Sequence, residues 1–225
     1  MTLSAIIMKN VEHAVNSEHH DFGFMLSIAR YDGAKHAIGV SHLARQIAIR
    51  MGFPLHTAEE IGLAGYYHDV GKKQVSSDLL NKPGKLTDEE YAHIKEHAQL
   101  GFHMLRDHNF SQTVALAALE HHERYDGSGY MGLTGNNISL AGRIVAVADV
   151  YDSLRTDRPY RKAWDYQRII HHMTSDMKHE FDPAVIDSLL HCLDHDHELR
   201  QAVLYEASPK GNYRERDNEL SLAVG

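Results

Sequence analysis

Ile144-Val145-Ala146-Val147-Ala148-Asp149-Val150 admits two readings. The run is continuous and rich in β-branched residues, as a buried strand would be, and periodicity alone does not separate such a strand from a buried helix. No partner strand pattern occurs elsewhere in the chain, so the stretch is expected to be a helix and the fold class all-α.

Working outward, Val40, Leu43, Ala44, Ile47, Ala48 and Met51 keep the i, i+3, i+4, i+7 spacing of one helical face. Gly52 and Pro54 stop that helix. Thr57 and Glu60 read as a capping box opening a second helix that carries Ile61, Leu63 and Ala64 and runs out near His68 and Gly71. Asn81-Lys82-Pro83-Gly84 reads as a turn, and Thr87 with Glu90 as a second capping box, starting a helix through His97 to about Leu105. The helical pattern resumes from Gln112 to Arg124. A loop from Asp126 to Gly132 follows, too rich in glycine to be helical. Asp165 is expected to cap a helix to about Lys178, and Asp182-Pro183 to open the last, with proline at the first helical position.

The composition is ordinary for a globular chain except for its 19 histidines, which raise the expectation of a metal site. Cys192 is the one cysteine, so neither an intramolecular disulfide nor a thiolate zinc site is available. A net charge of -8 argues against polymeric nucleic acid as a partner, since a polyanion needs a basic surface. No run approaches the roughly 18 apolar residues of a membrane span, and the start lacks a charged leader, so the expected location is the cytoplasm.

Asp32, His36, His68, Asp69, His97, His121, His122 and Asp149 are imidazoles and carboxylates at helix-compatible spacings. Such ligands suit iron, manganese or zinc with positions left open for water. The adjacent His68-Asp69 pair allows one residue to bind one ion while the carboxylate bridges to a second, and paired ions suit in-line displacement at phosphorus. Any one of these histidines alone would be read as an exposed or hydrogen-bonded residue; the set reverses that reading.

His68-Asp69-Val70-Gly71-Lys72 resembles the HDxGK signature of HD-domain phosphohydrolases, and the stretch from His121 to Tyr130 is similar to the HHExxDGxGYP signature of the HD-GYP subfamily, which degrades cyclic di-GMP. NKPGKLTDEE, VADVYDSL and DRPYRKAW also look like that subfamily, and the likeness covers about residues 28 to 195. It implies an HD-domain helical bundle with a metal site in its core. It also implies that His36, His68, Asp69, His97, His121, His122 and Asp149 are ligands of two or three divalent metal ions, with iron first and manganese as the alternative. Asp32 matches a position where some members place a glutamate on a third ion. Asp69 and Lys72 would be catalytic, the lysine stabilising charge on the phosphate or protonating the leaving oxygen. Arg158 and Arg161 match the phosphate-binding segment, though both could be solvated surface charges. Tyr130 is open between loop packing and substrate contact. Asp152 stays outside the ligand set, as a cap or a partner of an arginine, and Glu123 is read as orienting a ligand histidine.

The chain departs from the family at Gly129-Tyr130-Met131, where Gly-Tyr-Pro is expected. Methionine has an N–H and a free φ, so the loop should lose the backbone rigidity that proline gives. The expected organisation is an N-terminal helical segment at 1–27, the phosphohydrolase domain at 28–204 and a polar tail at 205–225. The expected function is metal-dependent hydrolysis of cyclic di-GMP to pGpG, with onward cleavage to GMP left open. The alternatives are a metal-bearing module that binds a nucleotide or a partner without turnover, or a hydrolase of another cyclic dinucleotide. A cyclase or other signalling partner could dock through the 126–132 loop; the oligomeric state is not legible.

Overall fold

The computed structural model describes residues 34–157 and 161–195, and among them the regular elements are all helical. They run α1 Ala34–Arg50, α2 Leu55–Tyr67, a 3-10 turn Val70–Gln74, α3 Ser77–Leu80, α4 Asp88–Asp107, α5 Gln112–Glu120, α6 Leu140–Arg155, α7 Tyr166–His171 and α8 Pro183–His195. The expected segment at 1–27, the tail at 205–225, Asp32 and Arg158 lie outside the described residues. No helix among the described residues is long and apolar enough to cross a membrane.

The stripe expected on α1 is the one buried: Val40, Leu43, Ala44, Ile47 and Ala48 are almost fully enclosed. α2 lies along it at close range. A Cβ on Gly65 would come within 3.1 Å of Ser41 Cα and the Val40 carbonyl, tighter than an ordinary contact, so the glycine eases this approach. α6 is the central element, packed against α1, α2, α5, α7 and α8. Ile144, Val145, Ala146, Val147 and Ala148 are all buried. A helix enclosed on every side loses the polar stripe that marks an amphipathic one, which is why this sequence imitates a strand.

Three boundaries differ from expectation. α2 begins at Leu55, with Pro54 as N-cap and no side-chain cap bond, so the Thr57–Glu60 box is not formed. Thr57 lies inside the first turn, where the Ala58 N–H already donates to the Pro54 carbonyl at 3.0 Å. The helix from Gln112 stops at Glu120, and the helix capped by Asp165 is regular only to His171 before a π turn over His172–Asp176. The Thr87–Glu90 box is present with both reciprocal bonds. At the last helix the Ala184 N–H donates to the Asp182 Oδ1 at 2.9 Å, and Arg143 ties Asp182 to α6 at 2.6 Å.

Candidate metal centre

The ligands expected from the sequence within the described residues come from five separate stretches of the bundle wall and converge. His36 is on α1; His68 and Asp69 follow the end of α2; His97 is on α4; His121 and His122 follow the end of α5; Asp149 is on α6. Two groups of candidate ligand atoms result, Asp69 with His97, His121 and His122, and Asp69 with His36 and His68.

Asp69 belongs to both because its two oxygens face different ways. Oδ1 lies 3.4 Å from His97 Nε2 and 3.6 Å from His121 Nε2. Oδ2 lies 3.3 Å from His68 Nε2 and 2.6 Å from Lys72 Nζ. Asp149 closes the second group, with Oδ1 3.0 Å from His36 Nε2 and 3.8 Å from His68 Nε2.

The rings are held from behind. His68 Nδ1 meets the Gly65 carbonyl at 2.7 Å, His97 Nδ1 the Ile94 carbonyl at 2.6 Å, and His121 Nδ1 the Ala118 carbonyl at 2.9 Å. A carbonyl only accepts, so each Nδ1 carries the proton and each neutral ring presents a bare Nε2 to the cluster. His97 Nε2 and His121 Nε2 then face one another at 3.3 Å, and buried His68 Nε2 and Asp69 Oδ1 have no hydrogen-bond partner. Converging lone pairs with nothing to donate to them are what a cation-binding site requires, so the residues fit divalent metal.

Charge follows the same division. Burial, with the neighbouring His121, pushes His97 down to about 4 and His122 down to about 2, and burial lowers His121 too, so this group is neutral at physiological pH. For His36, burial acts downward but hydrogen bonds and charges from Asp149 and Asp152 outweigh it and raise it to about 9. Burial likewise opposes ionisation of Asp69, yet the neighbouring imidazoles, His68 first, and the Lys72 ammonium hold its carboxyl well below the usual range.

Two residues have roles the sequence did not disclose. Asp152 is 2 % exposed and accepts a hydrogen bond from His36 Nδ1 at 2.6 Å through Oδ2, while Arg155 grips Oδ1 at 2.6 and 2.9 Å. It is an arginine partner, as expected, but also the residue that orients a ligand. Glu123 makes no direct bond to a ligand histidine: its carboxylate receives the Met131 and Leu133 N–H groups at 2.7 and 2.8 Å. The loop is therefore anchored despite lacking proline. Tyr130 stacks on His122, with ring centroids 4.5 Å apart at 27°, and borders an open cavity of about 450 Å³ along α4. Arg161 donates to the Ser153, Leu154 and Lys162 carbonyls, which places it at the C-terminal end of α6.

A helical bundle whose core converges imidazoles on a shared aspartate defines a candidate centre for divalent metal. An HD domain model matches residues 2–185, and the chain belongs to the HD domain family. It is 44% identical over 152 residues to the cyclic di-GMP phosphodiesterase PA4108 of Pseudomonas aeruginosa, covering 67% of this chain and 36% of that protein. It is 34% identical over 165 residues to the 3'3'-cGAMP-specific phosphodiesterase 2 of Vibrio cholerae, covering 72% of this chain and 31% of that protein. The chain thus spans about a third of the length of these curated relatives. Among solved structures it resembles Bd1817, an HDG"Y"P protein from Bdellovibrio bacteriovorus, with a TM-score of 0.60 at 22% identity over 72% of this chain and 52% of that one. The resemblance to HD-GYP proteins drawn from the motifs agrees with these relatives.

Proposed function

We propose that this chain hydrolyses a cyclic dinucleotide, cyclic di-GMP first, with two or three divalent cations that His36, His68, Asp69, His97, His121, His122 and Asp149 would hold. The observation that carries the reading is the position of the Asp69 carboxylate, with one oxygen toward His97 and His121 and the other toward His68. Names of similar proteins support it, one acting on cyclic di-GMP and one on 3'3'-cGAMP. A third cation on Asp32, iron over manganese, and a cytoplasmic location belong to the same proposal, as does the assignment of residues 28–204 to the catalytic domain.

Bound cations would lower the pKa of water and neutralise phosphate charge. The chain's own residues do the rest. Asp69 and Asp149 supply the anionic charge that holds the cations, and the backbone carbonyls behind His68, His97 and His121 keep those rings aimed. Lys72, 27 % exposed and 2.6 Å from Asp69, would stabilise the growing charge on the phosphate. Water adds to phosphorus, the bond from phosphorus to the 3' oxygen breaks, and that oxygen takes a proton, giving pGpG. Arg158 and Tyr130 are proposed substrate contacts; Arg161, engaged with three carbonyls, would need to release one to join them.

Protein purified without oxygen and loaded with iron or manganese should release pGpG or GMP. Asp69→Ala should abolish release, and Lys72→Ala should lower kcat by about 10² to 10³ while retaining metal. Turnover unchanged in Asp69→Ala would defeat the reading. Competition among cyclic di-GMP, cyclic GMP-AMP and cyclic di-AMP decides the substrate, and nucleotide binding with no product over hours would favour a binding module.

A further inference from the structure

We propose that Glu123 is the positioning residue that sets Tyr130 against the ligand His122, and that the backbone N–H of Met131, which proline could not supply, makes half of its hold. The carboxylate is 2 % exposed and lies at the base of the 126–132 loop. Oε1 accepts from the Met131 N–H at 2.7 Å and Oε2 from the Leu133 N–H at 2.8 Å. Both oxygens of a buried anion are thus occupied by amides on either side of Gly132, and charge-assisted bonds of this length are the stronger kind.

The same loop is pressed onto the backbone that carries the ligands. A Cβ on Gly129 would fall 2.5 Å from Glu123 Cα and 2.7 Å from Arg124 N, so the chain passes here without room for a side chain. Tyr130, between Gly129 and the clamped Met131, lies over His122, where it stacks at 4.5 Å. Lys95 Nζ lies 5.0 Å from the Tyr130 ring centroid and braces it from α4. The ring fixes the attitude of His122, whose Nδ1, unlike those of His68, His97 and His121, is not held by a backbone carbonyl.

A proline at 131 would delete one of the two donors and leave Oε1 buried without it. Methionine at this position replaces one means of fixing the loop, a locked φ, with another, a second hydrogen bond to a buried charge. Its side chain is 46 % exposed and takes no part in this hold.

The consequence for turnover rests on the hydrolase reading above; the positioning itself does not, and the test separates the two. Ring-proton resonances of His122 in the metal-free protein report the stacked Tyr130 directly. Met131→Ala, which keeps the N–H, should leave them in place, while Met131→Pro should shift them toward unstacked values and move the Leu133 amide resonance. Glu123→Ala should shift them further and lower manganese affinity about tenfold or more. Wild-type resonances in Met131→Pro, or equal shifts in Met131→Ala and Met131→Pro, would overturn the proposal. Should Glu123→Ala fail to fold, the two Met131 variants decide it alone. Stacking that responds as described in a protein without cyclic dinucleotide turnover would keep the clamp and discard the hydrolase.

Discussion

His97 and His121 point unprotonated Nε2 atoms at one another across 3.3 Å, each ring having committed its proton to the carbonyl behind it. Neutral imidazoles in that arrangement repel weakly and gain nothing from burial, so the metal-free core carries a cost that a cation removes. Saturating metal should therefore raise the melting temperature. At free metal about 100-fold above Kd the gain is about 2.7 kcal/mol, roughly 5 to 10 °C for a chain of this size. His121→Ala should show little of that increase and less bound metal by elemental analysis. A melting curve indifferent to manganese and iron would contradict the cation-binding assignment.

Gly71 explains why the HD pair is followed by glycine after one residue. A Cβ there would lie 2.5 Å from Gly101 N and collide with the His97 carbonyl, both backbone atoms of α4 that cannot swing aside. The contact docks the 3-10 turn after Asp69 onto the helix that carries His97. Gly71→Ala should cost about 2 to 4 kcal/mol in chemical denaturation, because overpacking against backbone has no rotamer escape. The same variant should bind metal more weakly, since it separates Asp69 from His97. Wild-type stability in Gly71→Ala would contradict a close docking of this turn onto α4.

The two halves of the centre should differ in how metal binding depends on pH. His36 is raised to about 9 by Asp149 and Asp152 against the effect of burial, whereas His97 is lowered to about 4 and His122 to about 2 by burial and a neighbouring imidazole. At pH 7.5 a metal entering beside His36 must displace a proton, and one entering beside His97 and His122 displaces none. The sign for stability of the metal-free protein follows. A folded-state value above the unfolded 6.5 gives a His36 contribution present in full below pH 6.5 and lost as pH rises through about 9. Calorimetry in buffers of different ionisation enthalpy should count about one proton released at pH 7.5 and fewer toward pH 9.5. Zero release at pH 7.5 would contradict this division of charge.

What the sequence discloses here depends on distance along the chain. His68 with Asp69, and His121 with His122, sit in contiguous motifs whose neighbours share their purpose, so short-range reading finds them. The capping box at Thr87 and Glu90 is real and the one at Thr57 and Glu60 is not, although the patterns are the same, because Phe53-Pro54 already starts the second helix upstream. α6 is obscured by its own burial, since a helix covered on all sides has no polar face to mark its period. The roles of Asp152 and Glu123 are hidden for another reason: their partners are His36, far away on α1, and two backbone amides, which no side-chain pattern records.

Asp152 gives the sharpest separation between holding a ligand and being one. Its carboxylate is 3 % exposed, accepts a hydrogen bond from His36 Nδ1 at 2.6 Å and is itself fixed by Arg155, an arrangement that turns His36 Nε2 toward Asp149. Asp152→Asn keeps the volume and can still accept one bond, but it removes the charge that makes His36 basic and loosens the Arg155 grip. Metal affinity should fall about 10- to 100-fold, as for other groups that orient a ligand histidine. The loss should be confined to the His36 side, leaving the cation beside His97, His121 and His122 in place, so elemental analysis at limiting metal should drop by about one equivalent. Added metal should restore turnover in Asp152→Asn, whereas a missing ligand, as in His36→Ala, should resist restoration. Equal behaviour of the two variants at high metal would show that Asp152 coordinates directly, and unchanged affinity in Asp152→Asn would show that His36 is oriented by something else.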